Sequence, residues 1–159
     1  MSDEILTSTS AAILRAKPRT DFSQLAFEMP VMMVLDHPVA PAVILVVEDE
    51  MLLRMRVVDM VEDAGYTSVE AVDADQAVAI LESRSDIALL FTDIQMPGAM
   101  DGLALAHSVH KRWPPIKIIL VSGQLQLSSS DIPPDSRFFG KPLKAGEMIA
   151  EMRDMIGHA

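Results

Sequence analysis

The sequence predicts an α/β fold, a doubly wound five-stranded parallel sheet with helices on both faces. Three observations carry this. Short apolar runs recur at 42–47, 67–72, 87–92, 116–121 and 137–140. The first of them, Ala42-Val43-Ile44-Leu45-Val46-Val47, has no polar position at all, which is the pattern of a strand covered on both faces. Segments of helical period follow the first three runs and the last. Alternating elements of this length pack as a parallel sheet joined by right-handed crossovers.

The elements follow in order. After the first strand, the spacing predicts a helix over about Glu50–Ala64. Leu53, Val57, Met60, Val61 and Ala64 form one apolar stripe, and Gly65 sits where a left-handed cap would end the helix. Thr67–Val72 is the second strand. Asp73 caps the next helix, with Gln76 completing a capping-box-like pair and Ala77, Ile80 and Leu81 on the inner face. Ile87–Thr92 is the third strand. Asp101–Lys111 is a helix carrying Leu103, Leu105, Ala106 and Val109. Trp113-Pro114-Pro115 breaks the chain before the fourth strand, Ile116–Val121. The stretch GQLQLSSSDIPPDSR, with three serines in a row and Pro133-Pro134, allows at most a short, irregular helix. Arg137–Gly140 is a short fifth strand. The last helix, Ala145–Ile156, buries Met148, Ile149, Met152 and Ile156, with Met155 at the edge of that line.

Residues 1–41 have no sustained period and contain Pro18, Pro30, Pro38 and Pro41. They read as a poorly ordered extension with a short helix near 10–16, or as an overlong start preceding Met29, Met32 or Met33. The folded domain is expected over 42–159.

Composition excludes several function classes. The 159 residues include no Cys, which removes disulfides, thiolate metal sites and cysteine nucleophiles. The net charge of −10 argues against direct nucleic-acid binding, which needs clustered cations. No apolar run approaches the roughly 18 residues of a membrane span. MSDEILTSTS lacks the basic start and apolar stretch of a secretory signal. A cytoplasmic protein with no membrane partner is the expectation.

In doubly wound sheets, ligands bind beyond the carboxyl ends of the strands. Glu48, Asp49 and Glu50 follow the first strand, Asp93 the third, Ser122-Gly123 the fourth and Lys141-Pro142 the fifth. Clustered carboxylates repel one another, so they either hold protons or bind a cation. Oxygen donors suit Mg²⁺, which keeps part of its water shell. A metal, an ammonium and a hydroxyl around one carboxylate form a phosphoryl-binding arrangement. Asp93 is then the candidate nucleophile, forming an acyl phosphate.

VVEDE, FTDIQMPGAMDG, LVSG and FFGKPL, in this order, resemble the receiver domain of two-component response regulators. The resemblance covers about Val43–Ile156 and is to the single-domain, chemotaxis-regulator-like type. It implies the flavodoxin-like strand order 2-1-3-4-5. It implies that Asp93 is the phosphoacceptor, with Lys141 and Ser122 as its partners. The metal ligands would be Glu48 through water, Asp49 and Asp93 directly, and the Gln95 backbone carbonyl. Ser122 and Phe138 match the switch positions, although adjacent Phe139 could hold the aromatic role. The Lys141–Pro142 peptide would be cis and help to aim Lys141. Gln95 and Gln124, each two residues past a site residue, would tune dephosphorylation by positioning or excluding water.

The implied partners are a sensor histidine kinase or histidine phosphotransfer protein, and a downstream protein not named by the sequence. The chain would not be an enzyme beyond catalysing its own phosphorylation and dephosphorylation. Output would run by protein contact, or the domain would be a phosphate relay or sink. The alternative is a degenerate receiver acting as an interaction module independent of phosphorylation. A haloacid-dehalogenase type enzyme would want a second Asp where Gln95 stands, and a flavin-binding flavodoxin would want a Ser/Thr-rich loop after the first strand. His107 and His110 read as a solvated helix face, and the methionines as core filler. Three departures from the family pattern stand out: one extra residue in Pro97–Gly102, a shortened Ser122–Lys141 segment that leaves the intervening helix rudimentary, and Lys144 where an N-cap residue is expected.

Overall fold

The computed structural model describes residues 40–158 apart from Leu125. The expectations for residues 1–39, including the helix near 10–16, lie outside the described residues. Five strands form a parallel sheet in the order β2-β1-β3-β4-β5. The elements are β1 (Val43–Val47), α1 (Met51–Asp63), β2 (Thr67–Ala71), α2 (Ala74–Ser83), β3 (Ile87–Asp93), α3 (Gly102–Arg112), β4 (Lys117–Ser122), β5 (Arg137–Gly140) and α4 (Ala145–Ile156). Element ends differ from the sequence reading by a residue or so. Glu50 and Ala64 cap α1 rather than join it, and Asp101 caps α3 by accepting from the Ala104 N–H at 2.8 Å.

Alternation along β1 divides the core in two. Val43, Leu45 and Val47 face the layer of α2 and α3, with Ala77, Leu81, Leu105 and Val109. Ile44 and Val46 face the layer of α1 and α4, with Val57, Val61, Met148 and Met152. Successive strand side chains point to opposite faces, so a strand with no polar position needs a helix layer on each side. Each fully buried Leu or Ile contributes roughly 1.5–3 kcal/mol relative to exposure.

Helix ends are fixed as the residue types dictate. Gly65 has φ +94°. The Gly65 N–H donates to Glu62 O at 2.9 Å and the Tyr66 N–H to Val61 O at 3.2 Å, a Schellman end that only glycine adopts without strain. At α2, Asp73 Oδ1 accepts from the Gln76 N–H at 2.8 Å, while Gln76 Oε1 accepts from the Val72 N–H at 2.7 Å. The reciprocal bond thus lands one residue before the cap. Lys144 precedes α4 without a side-chain cap; its Nζ pairs with Glu147 instead.

Between β4 and β5 there is no helix among the described residues. Turns replace it. Asp131 Oδ2 accepts from both the N–H and the hydroxyl of Ser128, at 2.8 and 2.7 Å. Such local side-chain bonds compete with helix formation, and Pro133-Pro134 removes two donors. Half-buried Leu127 and Ile132 still pack on the core. No helix among the described residues is long and apolar enough to cross a membrane.

Candidate functional site

The parallel sheet brings four separated segments to one edge. β1 runs into Glu48, β3 ends in Asp93, β4 in Ser122, and Lys141 follows β5. Glu48, Asp93 and Ser122 are buried at 2%, 5% and 1% exposure, while Asp49 is exposed. Carboxylate oxygens of Glu48, Asp49 and Asp93 lie within 4.8 Å of one another. Lys141 Nζ donates to Glu48 Oε2 and to Asp93 Oδ2, each at 3.1 Å. The Lys141–Pro142 peptide is cis, as expected.

Backbone bonds hold these groups in register. The Ile94 N–H donates to Val121 O, and the Lys141 N–H to Ser122 O, both at 2.9 Å. The Glu48 N–H donates to Ala71 O at 3.2 Å, and Glu48 Oε1 accepts from the Glu50 N–H at 3.2 Å. The Gln95 N–H points at Asp93 Oδ1 at 3.4 Å, and the Gln124 N–H at Ser122 Oγ at 3.3 Å.

The electrostatics follow from burial. Desolvation pushes the Glu48 carboxyl above its ordinary range; the bonds from Lys141 and Glu50 counter this in part, and the nearby Asp93 charge adds to the rise. Burial also opposes the Lys141 charge, but its bonds to Glu48 and Asp93 outweigh that and hold the ammonium above the ordinary lysine value. Hard oxygen donors at this spacing, with one member exposed, could hold a divalent metal, and the donor set fits Mg²⁺.

Every candidate site residue singled out from the sequence can be placed. Glu48, Asp49, Asp93 and Lys141 converge, and Ser122 stands at the adjoining strand end. Gln95 and Gln124 meet at the mouth, with Gln95 Nε2 donating to Gln124 Oε1 at 3.2 Å. Phe138 is half-buried on the α2/α3 face of the sheet, opposite Leu120, while Phe139 packs on the α1/α4 face. His107 is exposed, as the sequence reading has it, and its Nε2 also lies 3.0 Å from Asp131 O.

Two residues of the site went unmarked in the sequence. One is Gly102. A Cβ there would stand 1.8 Å from the Asp93 carbonyl oxygen, so α3 can start where it does only with glycine. The Gly102 N–H in turn donates to Ile94 O at 2.9 Å. An Asp-Gly pair opening an apolar helix was the available signal. The other is Arg54, whose Nη1 donates to Glu48 O at 2.9 Å and whose Nε pairs with Glu70 at 2.9 Å. Nothing in a linear pattern announces that reach. Beside the site, a cavity of about 410 Å³ is lined by Leu53, Met60, Pro142 and Leu143 together with Glu48 and Lys141.

The model of the response regulator receiver domain family matches residues 44–132. The match stops inside the β4–β5 crossover, before β5 and Lys141. The sensor kinase CckA of Brucella abortus is 32% identical over 119 residues, 72% of this chain and 12% of that protein. The nitrogen assimilation regulatory protein NtrX of Azorhizobium caulinodans is 36% identical over 81 residues, 50% of this chain and 18% of that one. The chain thus spans less than a fifth of the length of these two relatives. The crystal structure of a response regulator receiver protein from Sinorhizobium medicae superposes with TM-score 0.69 at 26% identity, covering 73% of this chain and 94% of that one.

Proposed function

We propose that this chain, which belongs to the response regulator receiver domain family, takes a phosphoryl group onto Asp93 from the phosphohistidine of a sensor histidine kinase or a histidine phosphotransfer protein. The observation that carries the reading is the position of Lys141 Nζ, 3.1 Å from both Glu48 and Asp93, within a three-carboxylate cluster. Glu48, Asp49, Asp93 and the Gln95 carbonyl would hold Mg²⁺. When bound, the ion supplies positive charge against the phosphoryl oxygens.

The residues do the rest. An Asp93 carboxylate oxygen attacks phosphorus, the P–N bond breaks, and the imidazole leaves with its electron pair and takes up a proton. Lys141 turns its ammonium from the carboxylates to the phosphoryl oxygens. The Ser122 hydroxyl donates to one of them, drawing in the loop at Gly123-Gln124 and shifting the population of the β4–β5 region around Phe138. Attack of water on phosphorus returns the free carboxylate and inorganic phosphate. Gln95 and Gln124, bonded across the mouth, govern the access of that water. The exposed side chains Met51, Leu52 and Met55 on α1 offer an apolar surface for the donor protein. Output passes to a downstream protein by contact, or phosphate moves on through the domain as relay or sink.

The test is a beryllofluoride titration with and without Mg²⁺, followed by amide NMR, alongside labelling by a small phosphodonor. Wild type should respond only with Mg²⁺, and Asp93→Asn should lose labelling entirely while keeping its thermal transition. A silent wild type would leave a phosphorylation-independent interaction module as the better description.

A further inference from the structure

We infer that Arg54 is a positioning residue for the metal site: its guanidinium, fixed on Glu70, holds the backbone carbonyl of Glu48 and so sets the acidic pair for a divalent cation. The inference rests on the reading of Glu48, Asp49 and Asp93 as that site.

Beyond Val47, paired with Ala71, the register of β1 with β2 ends. The Glu48 N–H still finds Ala71 O, but its carbonyl points past the end of the ladder. A buried carbonyl needs a donor. Arg54 provides one from α1, with Nη1 2.9 Å from Glu48 O. Its own N–H bonds Glu50 O at 2.9 Å, so one residue ties the start of α1 to the strand end on both sides of Asp49. The guanidinium is itself held, since its Nε lies 2.9 Å from Glu70 Oε2 and its side chain is 13% exposed. Glu70 stands on β2 opposite Val46, so the brace runs from β2 through Arg54 to the peptide between Glu48 and Asp49. That peptide fixes where both carboxylates leave the backbone.

The planar fork matters, because one cation must satisfy a carbonyl and a carboxylate in different directions at once. An ammonium on a flexible stem does not reproduce that geometry. Positioning and plain charge also act in opposite directions here. A cation near a Mg²⁺ site repels the ion, so if charge were its only influence, removing Arg54 would tighten binding. If it positions the acidic pair, removing it weakens binding, and lysine fails to rescue.

The test measures Mg²⁺ affinity by calorimetry on the full chain, for wild type, Arg54→Lys and Arg54→Ala, with a thermal melt of each without metal. Groups that orient metal ligands typically change affinity by about 10–100-fold when removed. The expected result is a wild type that binds Mg²⁺ and an Arg54→Lys that binds about tenfold more weakly, with its apo melting transition still cooperative. Arg54→Ala should lose at least as much. Wild-type affinity in Arg54→Lys, or tighter binding in Arg54→Ala, overturns the positioning role while leaving the metal site standing. A wild type that binds no Mg²⁺ removes the site reading and this inference together.

Discussion

Two junctions leave the same edge of the sheet and are built in opposite ways. After β3, the chain is clamped: Ile94 bonds Val121, Gly102 bonds Ile94, and α3 begins so close to Asp93 that no side chain fits at its first position. After β4, the chain runs through turns held by Ser128 and Asp131 side chains, with no helix among its described residues until α4. Each junction carries a glutamine two residues past its strand end, and those two glutamines touch. On the proposed function, the difference separates a half that holds the Asp93 carboxylate still from a half that answers what happens there. A nucleophile needs a fixed direction of approach. A responding segment needs low local stability.

The largest expected effect comes from breaking the clamp. Gly102→Ala forces a Cβ against the Asp93 carbonyl, and that contact is backbone, which cannot swing aside. We expect a destabilisation of about 3 kcal/mol or more, at the upper end of overpacking penalties, and a phosphoacceptor displaced enough to slow labelling. Denaturant melts and labelling rates check both. The converse change in the crossover, Ser129→Ala at an exposed turn position, should stay within about 0.5 kcal/mol. Equal effects at the two positions would erase the distinction between the junctions.

That contrast also marks how far the sequence could be read. Strand and helix periods, and charged residues placed just past apolar runs, are local patterns, so the sheet and the meeting of Glu48, Asp93, Ser122 and Lys141 were legible. So was the Gly65 helix end. The irregular crossover was legible too, because consecutive serines and a proline pair each act on the backbone next to them. The role of Gly102 had only the Asp-Gly pair before an apolar helix to announce it, and that of Arg54 had nothing, since its reach across the fold is encoded by no spacing. The bond between His107 and the Asp131 carbonyl was missed for the same reason. The half-burial of Leu53 and Met60 has a visible cause: the α1 stripe borders an open cavity rather than a closed core.

A smaller effect tests the electrostatics of the clamped half. Glu48 titrates above its ordinary value of 4.5 in the folded protein because burial disfavours its charge. A raised folded pKa means that its contribution to stability is full below the unfolded pKa and is lost as pH rises through the folded one. The metal-free protein should therefore lose stability across that interval. Glu48→Gln removes the titration, so it should flatten the pH dependence and raise the metal-free melting temperature at neutral pH by on the order of a few °C. The same variant should lose the stabilisation that Mg²⁺ gives wild type. Melts from about pH 4 to 8, with and without Mg²⁺, read both. A variant less stable than wild type at neutral pH would mean that the Lys141 pairing outweighs the desolvation of Glu48.

The smallest effect lies at the seam. One bond joins Gln95 Nε2 to Gln124 Oε1, so on the proposed function the pair would act by limiting access to phosphorus. Gln95→Ala should then shorten the phosphorylated half-life about threefold, equivalent to about 0.6 kcal/mol in the hydrolysis barrier. Breaking one bond from either side is the same act, so Gln124→Ala should match it and the double variant should add nothing. Decay of the phosphorylated form in Mg²⁺, after removal of the phosphodonor, measures all three. Additive effects would mean that the glutamines work independently from their two junctions. A longer half-life in either single variant would mean that its amide helps to place the attacking water, and the clamped and adaptable halves would then meet in chemistry rather than in a shared barrier.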